Sequence, residues 1–325
     1  MGTDSCQIRS PRGADLASLL DCWNAALPVD GITRDELEGK IFLDANYDPA
    51  GIQVACINDD VVGFCCAFVL ARPIEKTGLR EEDGFISMFG VHPSHKRQKI
   101  GTALLDNAER YFLGRNRKRV LIAPYTPNYF IPGVDKDRHG EALAFLEKRG
   151  YLEYSEALAA DANLSGFEMP PEALVTEKRL LQEGVVIRPY QRCDLPEYLA
   201  FLREHMPGPW IEDARRNLLA LPGGGFHEDA IWLAWHKSAD GKNIVGYCQH
   251  EHEHFGPFGI AEGWQGKGIG TVLLARTIVQ MQRHGCHSAW VLWTGQRALD
   301  GVYGRLGFKL TRRFAIMKKE LSPSN

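Results

Sequence analysis

Three glycines at alternate positions, Gly266, Gly268 and Gly270, stand directly before an apolar run with helical spacing. The short apolar segment Phe258-Gly259-Ile260 precedes them and is predicted to form a buried strand. The order is therefore strand, glycine-rich turn and helix. Because the first N–H groups of a helix lack partners within it and lie at the positive end of its dipole, this turn is suited to bind phosphate oxygens.

Three kinds of phosphate-binding loop were compared with this turn. A Walker loop needs Gly-Lys followed by Ser or Thr, whereas Gly266-Lys267 is followed by Gly268. A dinucleotide fingerprint needs G-x-G-x-x-G and a carboxylate about 20 residues later, and the sequence offers neither. Gln265-x-x-Gly268-x-Gly270 resembles the coenzyme A pyrophosphate loop, Q/R-x-x-G-x-G/A, of the GCN5-related N-acetyltransferase (GNAT) superfamily. A plain tight turn before a helix is the structural alternative.

The composition is that of an ordinary globular protein. The chain has 325 residues, of which 44% are hydrophobic and 24% charged, so two domains are expected. A formal net charge of -3 argues against nonspecific binding of nucleic acid or of a membrane surface. No apolar stretch approaches the length of a membrane span, and the first residues lack the pattern expected of a signal peptide, so neither feature is predicted. The eight cysteines form no CxxC and are expected to be reduced, which favours a cytoplasmic location.

The two halves of the sequence repeat one another. The glycine-turn blocks recur at an offset of 258 − 89 = 169, and the beginnings and ends of the halves also correspond. The matching pairs are Phe89-Gly90-Val91 with Phe258-Gly259-Ile260, Ile100-Gly101-Thr102 with Ile269-Gly270-Thr271, Ile8-Arg9 with Ile187-Arg188, and Gly150-Tyr151 with Gly307-Phe308. Such a duplication predicts tandem domains. We place them at residues 1–170 and 185–325, joined by a linker at 171–184.

Both halves resemble the GNAT superfamily, and together they cover nearly the whole chain. The resemblance implies an α/β fold with two tandem domains. Each domain is expected to have a mixed, mostly antiparallel sheet flanked by helices, with two parallel central strands that splay apart. In the second half these strands are expected at residues 255–260 and 289–294. The resemblance also implies acetyl-coenzyme A (acetyl-CoA) as the cofactor, bound by Phe258, Gly259, Ile260, Gln265, Gly266, Lys267, Gly268, Ile269, Gly270, Thr271, Gln296 and Tyr303.

The resemblance further implies which residues exchange protons. The family motif Y-x-x-x-G-F matches the stretch from Tyr303 to Phe308, so the Tyr303 hydroxyl is expected to protonate the leaving thiolate. Gln296 stands where an asparagine is common in the family. The family's usual base position falls on His254, with Glu253 or Glu251 as substitutes. Core packing is the alternative role for Tyr303.

His254 ends the run His250-Glu251-His252-Glu253-His254. In a continuous strand this alternation would place the histidines on one face and the glutamates on the other. Histidines two apart on a strand can share a metal ion, but the resemblance requires none. We therefore predict a solvated strand end and no metal.

The first half departs from the family pattern. Lys96 and Lys99 stand at the positions of Gln265 and Gly268, and only Gly101 is kept. The base and acid positions are Phe85 and Leu146, neither of which exchanges a proton. This domain is predicted to be catalytically silent, and either to hold a coenzyme A site at Val91, Lys96, Lys99, Gly101 and Thr102 or to be only structural. The unequal tandem is similar in architecture to the mycothiol synthases.

The sequence thus predicts an acetyl-CoA-dependent N-acetyltransferase. Its C-terminal domain is expected to transfer the acetyl group by direct attack of an amine in a ternary complex. The acceptor is a small-molecule amine or a peptide or protein amine, and neither nucleic acid nor membrane is expected as a partner. The chain is expected to act as a monomer or homodimer. The alternative is a non-catalytic acyl-CoA-binding module or sensor, in which neither half turns over.

Overall fold

A computed structural model describes residues 6–126, 128–238 and 241–322. The elements of the first half are β1 (Gln7–Arg9), α1 (Leu16–Ala26), α2 (Arg34–Leu37), β2 (Ile52–Ile57), β3 (Asp60–Phe68), β4 (Asp83–Val91), α3 (Ile100–Gly114), β5 (Arg119–Ile122), β6 (Val134–Asp135), α4 (Gly140–Lys148) and β7 (Leu152–Asn163). Those of the second half are α5 (Pro171–Gln182), β8 (Val185–Pro189), α6 (Leu195–His205), α7 (Gly208–Ala220), β9 (Ile231–Ser238), β10 (Gly241–Glu251), β11 (His254–Ile260), α8 (Ile269–Arg283), β12 (Ser288–Thr294), α9 (Gln296–Ala298) and β13 (Lys309–Glu320).

The chain folds into two compact units that each combine distant segments. Unit 1 consists of Met1–Pro73, Gly78–Glu156 and Phe314–Asn325, and unit 2 of Ile74–Thr77 and Ala157–Arg313. The division differs from the boundaries expected from the sequence, because β7 and β13 each contribute residues to both units. The segment expected to be a linker, residues 171–184, contains α5, which has a proline at its first position.

Unit 1 is built on a sheet with the strand order β1-β2-β3-β4-β5-β13. The neighbours in this order are antiparallel, except that β4 and β5 are parallel. The last strand pairs Met317 with Ile122 and Glu320 with Arg119. This strand ends the second half of the sequence, whose sheet it would close if the two halves were simple repeats. Its apolar residues Phe314 to Met317 are instead buried in unit 1, where β5 offers an open edge.

Unit 2 repeats this plan with the strand order β8-β9-β10-β11-β12-β7. Only β11 and β12 are parallel among these neighbours. Its last strand is the second half of β7, which pairs Ala160 with Val291 and Asn163 with Ser288. Both units therefore have a mixed, mostly antiparallel sheet with helices against it, which confirms the predicted fold class.

The helix after each glycine-turn block is anchored by its apolar face. In α8 this face includes Val272, Leu273 and Ile278, all fully buried. The helix ends at Arg283, and Gly285 follows with φ +82, a left-handed conformation that glycine commonly adopts just after a helix. The corresponding helix of unit 1, α3, buries Leu104, Leu105 and Phe112 in the same way. Within the described ranges, no helix is long and apolar enough to cross a membrane.

The contribution of the C-terminal strand to unit 1 can be measured by replacing Phe314, which is fully buried. We expect Phe314→Ala to lower the free energy of unfolding by about 3–5 kcal/mol, because it leaves a cavity in the core. Hydrogen exchange should accelerate in peptides that cover β5. Leu310→Ala, in the exposed part of the same strand, serves as the control and should change stability by less than about 0.5 kcal/mol. Equal protection of β5 in both variants would contradict the assignment.

Candidate functional site

The glycine turn before α8 and its counterpart before α3 share one backbone conformation. Gly266 and Gly268 have φ values of +76 and +84 in unit 2. Arg97 and Lys99, at the same positions of unit 1, have φ values of +65 and +62. Lys99 therefore adopts the same left-handed conformation as Gly268. Non-glycine residues in this region are strained by roughly 1–2 kcal/mol each, so unit 1 keeps the turn although its residues do not favour it.

The loop of unit 2 is held by its own side chains. The Gln265 amide donates a hydrogen bond to the carbonyl of Ile260, 3.3 Å away. The Lys267 ammonium lies 4.4 Å from the centre of the Trp264 ring. The other residues predicted to bind the donor occupy the end of β11, the loop and the first turn of α8: Phe258, Gly259, Gly266, Gly268, Ile269, Gly270 and Thr271. The polypeptide thus brings the predicted set together around the start of one helix.

Helix α5 forms a wall beside this loop, which sequence reasoning did not anticipate. Arg179 donates from Nη2 to the carbonyl of Lys267 at 2.8 Å. A Cβ at Gly268 would lie only 2.7 Å from Cγ2 of Thr176. Glu177 accepts from Arg276 Nε at 2.9 Å and fixes α5 to α8. The sequence predicts a linker at residues 171–184, but this charged segment contains the helix α5, which forms an ion pair with α8.

The parallel strands of both units separate part-way along their length. In unit 2, β11 and β12 are in register at His254 and Trp290, with the Trp290 N–H donating to the Glu253 carbonyl at 2.9 Å. In unit 1 the ladder between β4 and β5 runs from Asp83 to Ile86. Past these points the facing edges of the strands are no longer paired with each other, so backbone N–H and C=O groups become available beside each loop.

Tyr303 lies against β11, the strand that separates from β12 in unit 2. It ends a π-helical segment that continues α9, and its ring is only 6% exposed. The rings of Phe255, Phe258 and Phe308 surround it at centroid distances of 6.0, 6.5 and 5.3 Å. Burial raises the pKa of the Tyr303 hydroxyl well above its ordinary value, so this hydroxyl keeps its proton at neutral pH. The predicted cofactor residue Gln296 begins α9 and donates to Asp300 at 2.7 Å.

The alternating histidine run does not lie on one strand, and that expectation is wrong. β10 ends at Glu251, His252 adopts φ +50 in a turn, and β11 begins at His254. The turn places His250 and His254 in different environments. The His254 ring is partly exposed and stacks on Trp290 at 4.3 Å. His250 is buried rather than solvated, with 2% exposure.

His250 belongs to a histidine cluster at the end of α8. Its Nδ1 lies 3.0 Å from the carbonyl of His252, and its ring is 5.1 Å from that of His284. His284 Nε2 lies 3.1 Å from a carboxylate oxygen of Asp229. Desolvation lowers the pKa of His250 to about 4, so the ring is neutral at pH 7. In the part of the chain that the structure describes, no group of three or more residues is arranged to hold a metal ion.

Unit 1 contains a cavity of about 780 Å³ where β4 and β5 separate. It is lined by the end of β4, the loop before α3 and the start of α4. The residues predicted from the sequence for this half all line it: Val91, Lys96, Lys99, Gly101 and Thr102. The positions of the missing base and acid, Phe85 and Leu146, are buried in the core.

Polar atoms within this cavity were missed by the sequence reasoning. Ser87 Oγ, His95 Nδ1 and His139 Nε2 are buried and make no hydrogen bond, and all three residues line the cavity. The sequence did hold a signal for His139. It precedes Leu146 by seven residues, as Gln296 precedes Tyr303.

Comparisons with family models and solved structures agree with the fold of both units. The model described as "Acetyltransferase (GNAT) family" matches residues 16–151, and that described as "Acetyltransferase (GNAT) domain" matches residues 227–310. No curated protein matches the chain.

Three solved structures are similar across the whole chain. The glucosamine N-acetyltransferase region of a fungal multi-domain GH3 beta-N-acetylglucosaminidase has 18% identity and a TM-score of 0.81; the match covers 98% of this chain but only 38% of that one. An N-acetyltransferase from Sphaerobacter thermophilus has 19% identity and a TM-score of 0.71, with 100% and 98% covered. A tandem GNAT protein from the clavulanic acid biosynthesis pathway has 14% identity and a TM-score of 0.65, with 99% and 100% covered. At these identities the likeness is one of fold.

The packing around Gly268 gives a prediction about stability. We expect Gly268→Ala to lower the free energy of unfolding by about 1–2 kcal/mol, because alanine is strained at φ +84 and its Cβ meets Thr176. Urea denaturation measures the loss. Gly263→Ala is the matched control, since nothing lies within 4 Å of the added Cβ. A loss of equal size in both variants would count against the special role of Gly268.

Because His250 is buried, we predict that the free energy of unfolding of unit 2 falls in acid. Its pKa in the folded chain, about 4, lies below the ordinary value of 6.5, so the unfolded state binds more protons between these values. Stability should therefore fall by up to about 3 kcal/mol as the pH drops from 6.5 to 4. His250→Gln should flatten this dependence in urea denaturation, whereas His287→Gln, at an exposed position, should not. A wild-type dependence retained by His250→Gln would refute the assignment.

Proposed function

The chain belongs to the GNAT acetyltransferase family as a tandem acyl-CoA N-acyltransferase, and we propose that unit 2 transfers an acetyl group from acetyl-CoA to an amine. The observation that carries this proposal is the left-handed turn at Gly266 and Gly268, which opens α8 beside the separated strands β11 and β12. Pyrophosphate oxygens accept hydrogen bonds from the free N–H groups of this turn. The pantetheine arm extends along the open edge of β11.

Phosphate recognition in this proposal rests on the backbone and on two basic residues. Lys267 is exposed on the loop and supplies charge. Arg179 lies against the same loop through its bond to the Lys267 carbonyl. Gln265 fixes the start of the turn to the end of β11 and so keeps the N–H groups pointing in one direction. Because these groups are set before the donor binds, little conformational entropy is lost on binding.

The transfer needs a proton acceptor for the amine and a proton donor for the thiolate. The amine nitrogen attacks the thioester carbonyl, the C–N bond forms, and the C–S bond breaks. His254 accepts the proton that the amine loses, with Glu253 as the alternative acceptor. Its stacking on Trp290 fixes the orientation of the ring. Tyr303 gives its proton to the departing sulfur, and a backbone N–H at the open edge of β11 stabilises the oxyanion.

Tyr303 suits the role of acid for a physical reason. Burial among the three aromatic rings raises the pKa of the hydroxyl, which keeps it protonated before the reaction but makes it a weaker acid, so the transfer requires the thiolate to form directly beside it. Direct transfer in a ternary complex then requires no covalent intermediate on the protein. The acceptor class is an amine of a small molecule, a peptide or a protein. Because the fungal neighbour acts on glucosamine, amino sugars belong in the first panel of acceptors.

The second candidate is a non-catalytic acyl-CoA-binding module or sensor. The enclosure of Tyr303 by aromatic rings favours it, since the same packing is expected of a tyrosine in a core. The two candidates differ in a measurable way. A sensor binds acetyl-CoA without releasing thiol when amines are added, whereas the enzyme releases one thiol for each amine acetylated.

The role of Tyr303 can be tested by removing its hydroxyl. We expect Tyr303→Phe to lower kcat by about 10²–10⁴-fold in a thiol-release assay and to leave acetyl-CoA binding unchanged in calorimetry. Tyr190→Phe, which removes a buried hydroxyl from the other core cluster of unit 2, is the control and should keep wild-type activity. Gly268→Glu should abolish donor binding to unit 2. If Tyr303→Phe turns over at the wild-type rate, Tyr303 is not the acid. If the wild-type protein does not bind acetyl-CoA, the proposed function is wrong.

A further inference from the structure

We propose that unit 1 holds a second acyl-transfer centre, in which His139 accepts the proton of the attacking amine. This inference rests on the acyltransferase function proposed above. It reverses the expectation that the first half is silent, which was based on Phe85 and Leu146 standing at the family's base and acid positions. The proton acceptor comes instead from the residue that precedes α4.

The first argument is the set of buried polar atoms without partners. Ser87 is 1% exposed, and its hydroxyl makes no hydrogen bond, nor do His95 Nδ1 and His139 Nε2. Leaving such an atom unpaired destabilises the fold, and the large majority of buried polar groups in folded proteins have a partner. All three residues line one cavity of about 780 Å³. A ligand with polar groups within this cavity would give these atoms partners.

The second argument is the charge and the aromatic character of the cavity's lining. Lys96, Lys99 and Lys148 line the cavity, and Lys99 occupies the left-handed position directly before α3. Glu141 lies 3.6 Å from Lys96, whereas Lys99 is exposed. Phe89 and Phe145 line the same cavity. A lining that combines lysines beside the start of a helix with aromatic residues suits a phosphorylated thioester with an uncharged arm.

The third argument concerns His139 itself. Its Nε2 lies 3.7 Å from Oδ2 of Asp30, a side chain that is 9% exposed. At 3.7 Å the two atoms are too far apart for a hydrogen bond, but the carboxylate lies beside the nitrogen that receives the proton in the proposed step. The residue stands seven positions before Leu146, and Gln296 stands seven positions before Tyr303. His139 therefore occupies the position in unit 1 that corresponds to a predicted donor-contacting residue of unit 2.

The proposed step is balanced without a further reactant. The amine nitrogen attacks the thioester carbonyl of the acyl donor, so the C–N bond forms as the C–S bond breaks. The proton lost by the amine passes to His139 Nε2. The thiolate takes a proton from water, because Leu146 offers none, and His139 returns its proton to solvent.

The test isolates unit 1 by inactivating the loop of unit 2. Full-length Gly268→Glu is assayed for thiol release from acetyl-CoA with alkylamines, glucosamine and a short peptide. We expect it to keep a residual turnover of at most about one hundredth of the wild-type rate, because unit 2 supplies the rest. Adding His139→Ala should lower that remainder by about 100-fold or more, and imidazole in the buffer should restore part of it. His205→Ala, a surface substitution in unit 2, is the matched control and should change nothing.

Calorimetry with acetyl-CoA separates a catalytic loss from a folding defect. Gly268→Glu with His139→Ala should still bind one equivalent of acetyl-CoA. His139→Gln, which copies the residue found in unit 2, provides a second variant should alanine disturb the fold. Loss of all turnover in Gly268→Glu, or turnover that both His139 variants leave unchanged, overturns this inference and leaves the proposed function in place. A wild-type protein that releases no thiol with any amine overturns both.

Discussion

The backbone ladder between the two parallel strands of each unit stops part-way along the strands, and much of the rest depends on this interruption. In unit 1 the ladder ends at Ile86 and Ile122, and in unit 2 it is in register at His254 and Trp290. A sheet that stayed paired to its end would leave no room between these strands. Because the strands separate, peptide groups that would otherwise bond to each other lie beside the start of a helix, where its N–H groups are also free.

The two units reach the same turn with different residues. Glycine adopts the left-handed conformation without strain at Gly266 and Gly268, and the loop of unit 2 is packed closely against Thr176. Arg97 and Lys99 adopt the same conformation with strain, yet their side chains bring positive charge to the loop. Strained backbone of this kind persists where the surrounding structure holds it in place. We interpret the exchange of glycine for lysine as a change in how anions are held rather than as decay of the loop.

The sequence was sufficient for the repeated architecture and for the location of the loops, because these depend on local spacing. The glycine-turn block, which recurs at a constant offset of 169 residues, identified two similar units, and the position of each glycine turn indicated the start of α3 and α8. Contacts between distant segments were not accessible in this way. The apolar residues of β13 fit any open strand edge, and nothing local indicates that Phe314 belongs with unit 1. The turn at His252 was missed because alternation of histidine and glutamate suggests an unbroken strand. The role proposed for His139 was not evident from the sequence, because the resemblance implies proton exchange only at the base and acid positions, which are Phe85 and Leu146 in the first half.

The exchange of strands β7 and β13 also affects how the protein is made. Unit 1 includes the first residues of the described chain but completes its sheet with Phe314 to Glu320. During synthesis, the open edge of β5 must therefore remain unpaired by its native partner until residue 320 has left the ribosome. Unit 2 has all its strands once Arg313 has emerged. The half that is translated first is thus the half that can finish folding last, and a cut in the gene between the two repeats would not yield two complete folding units.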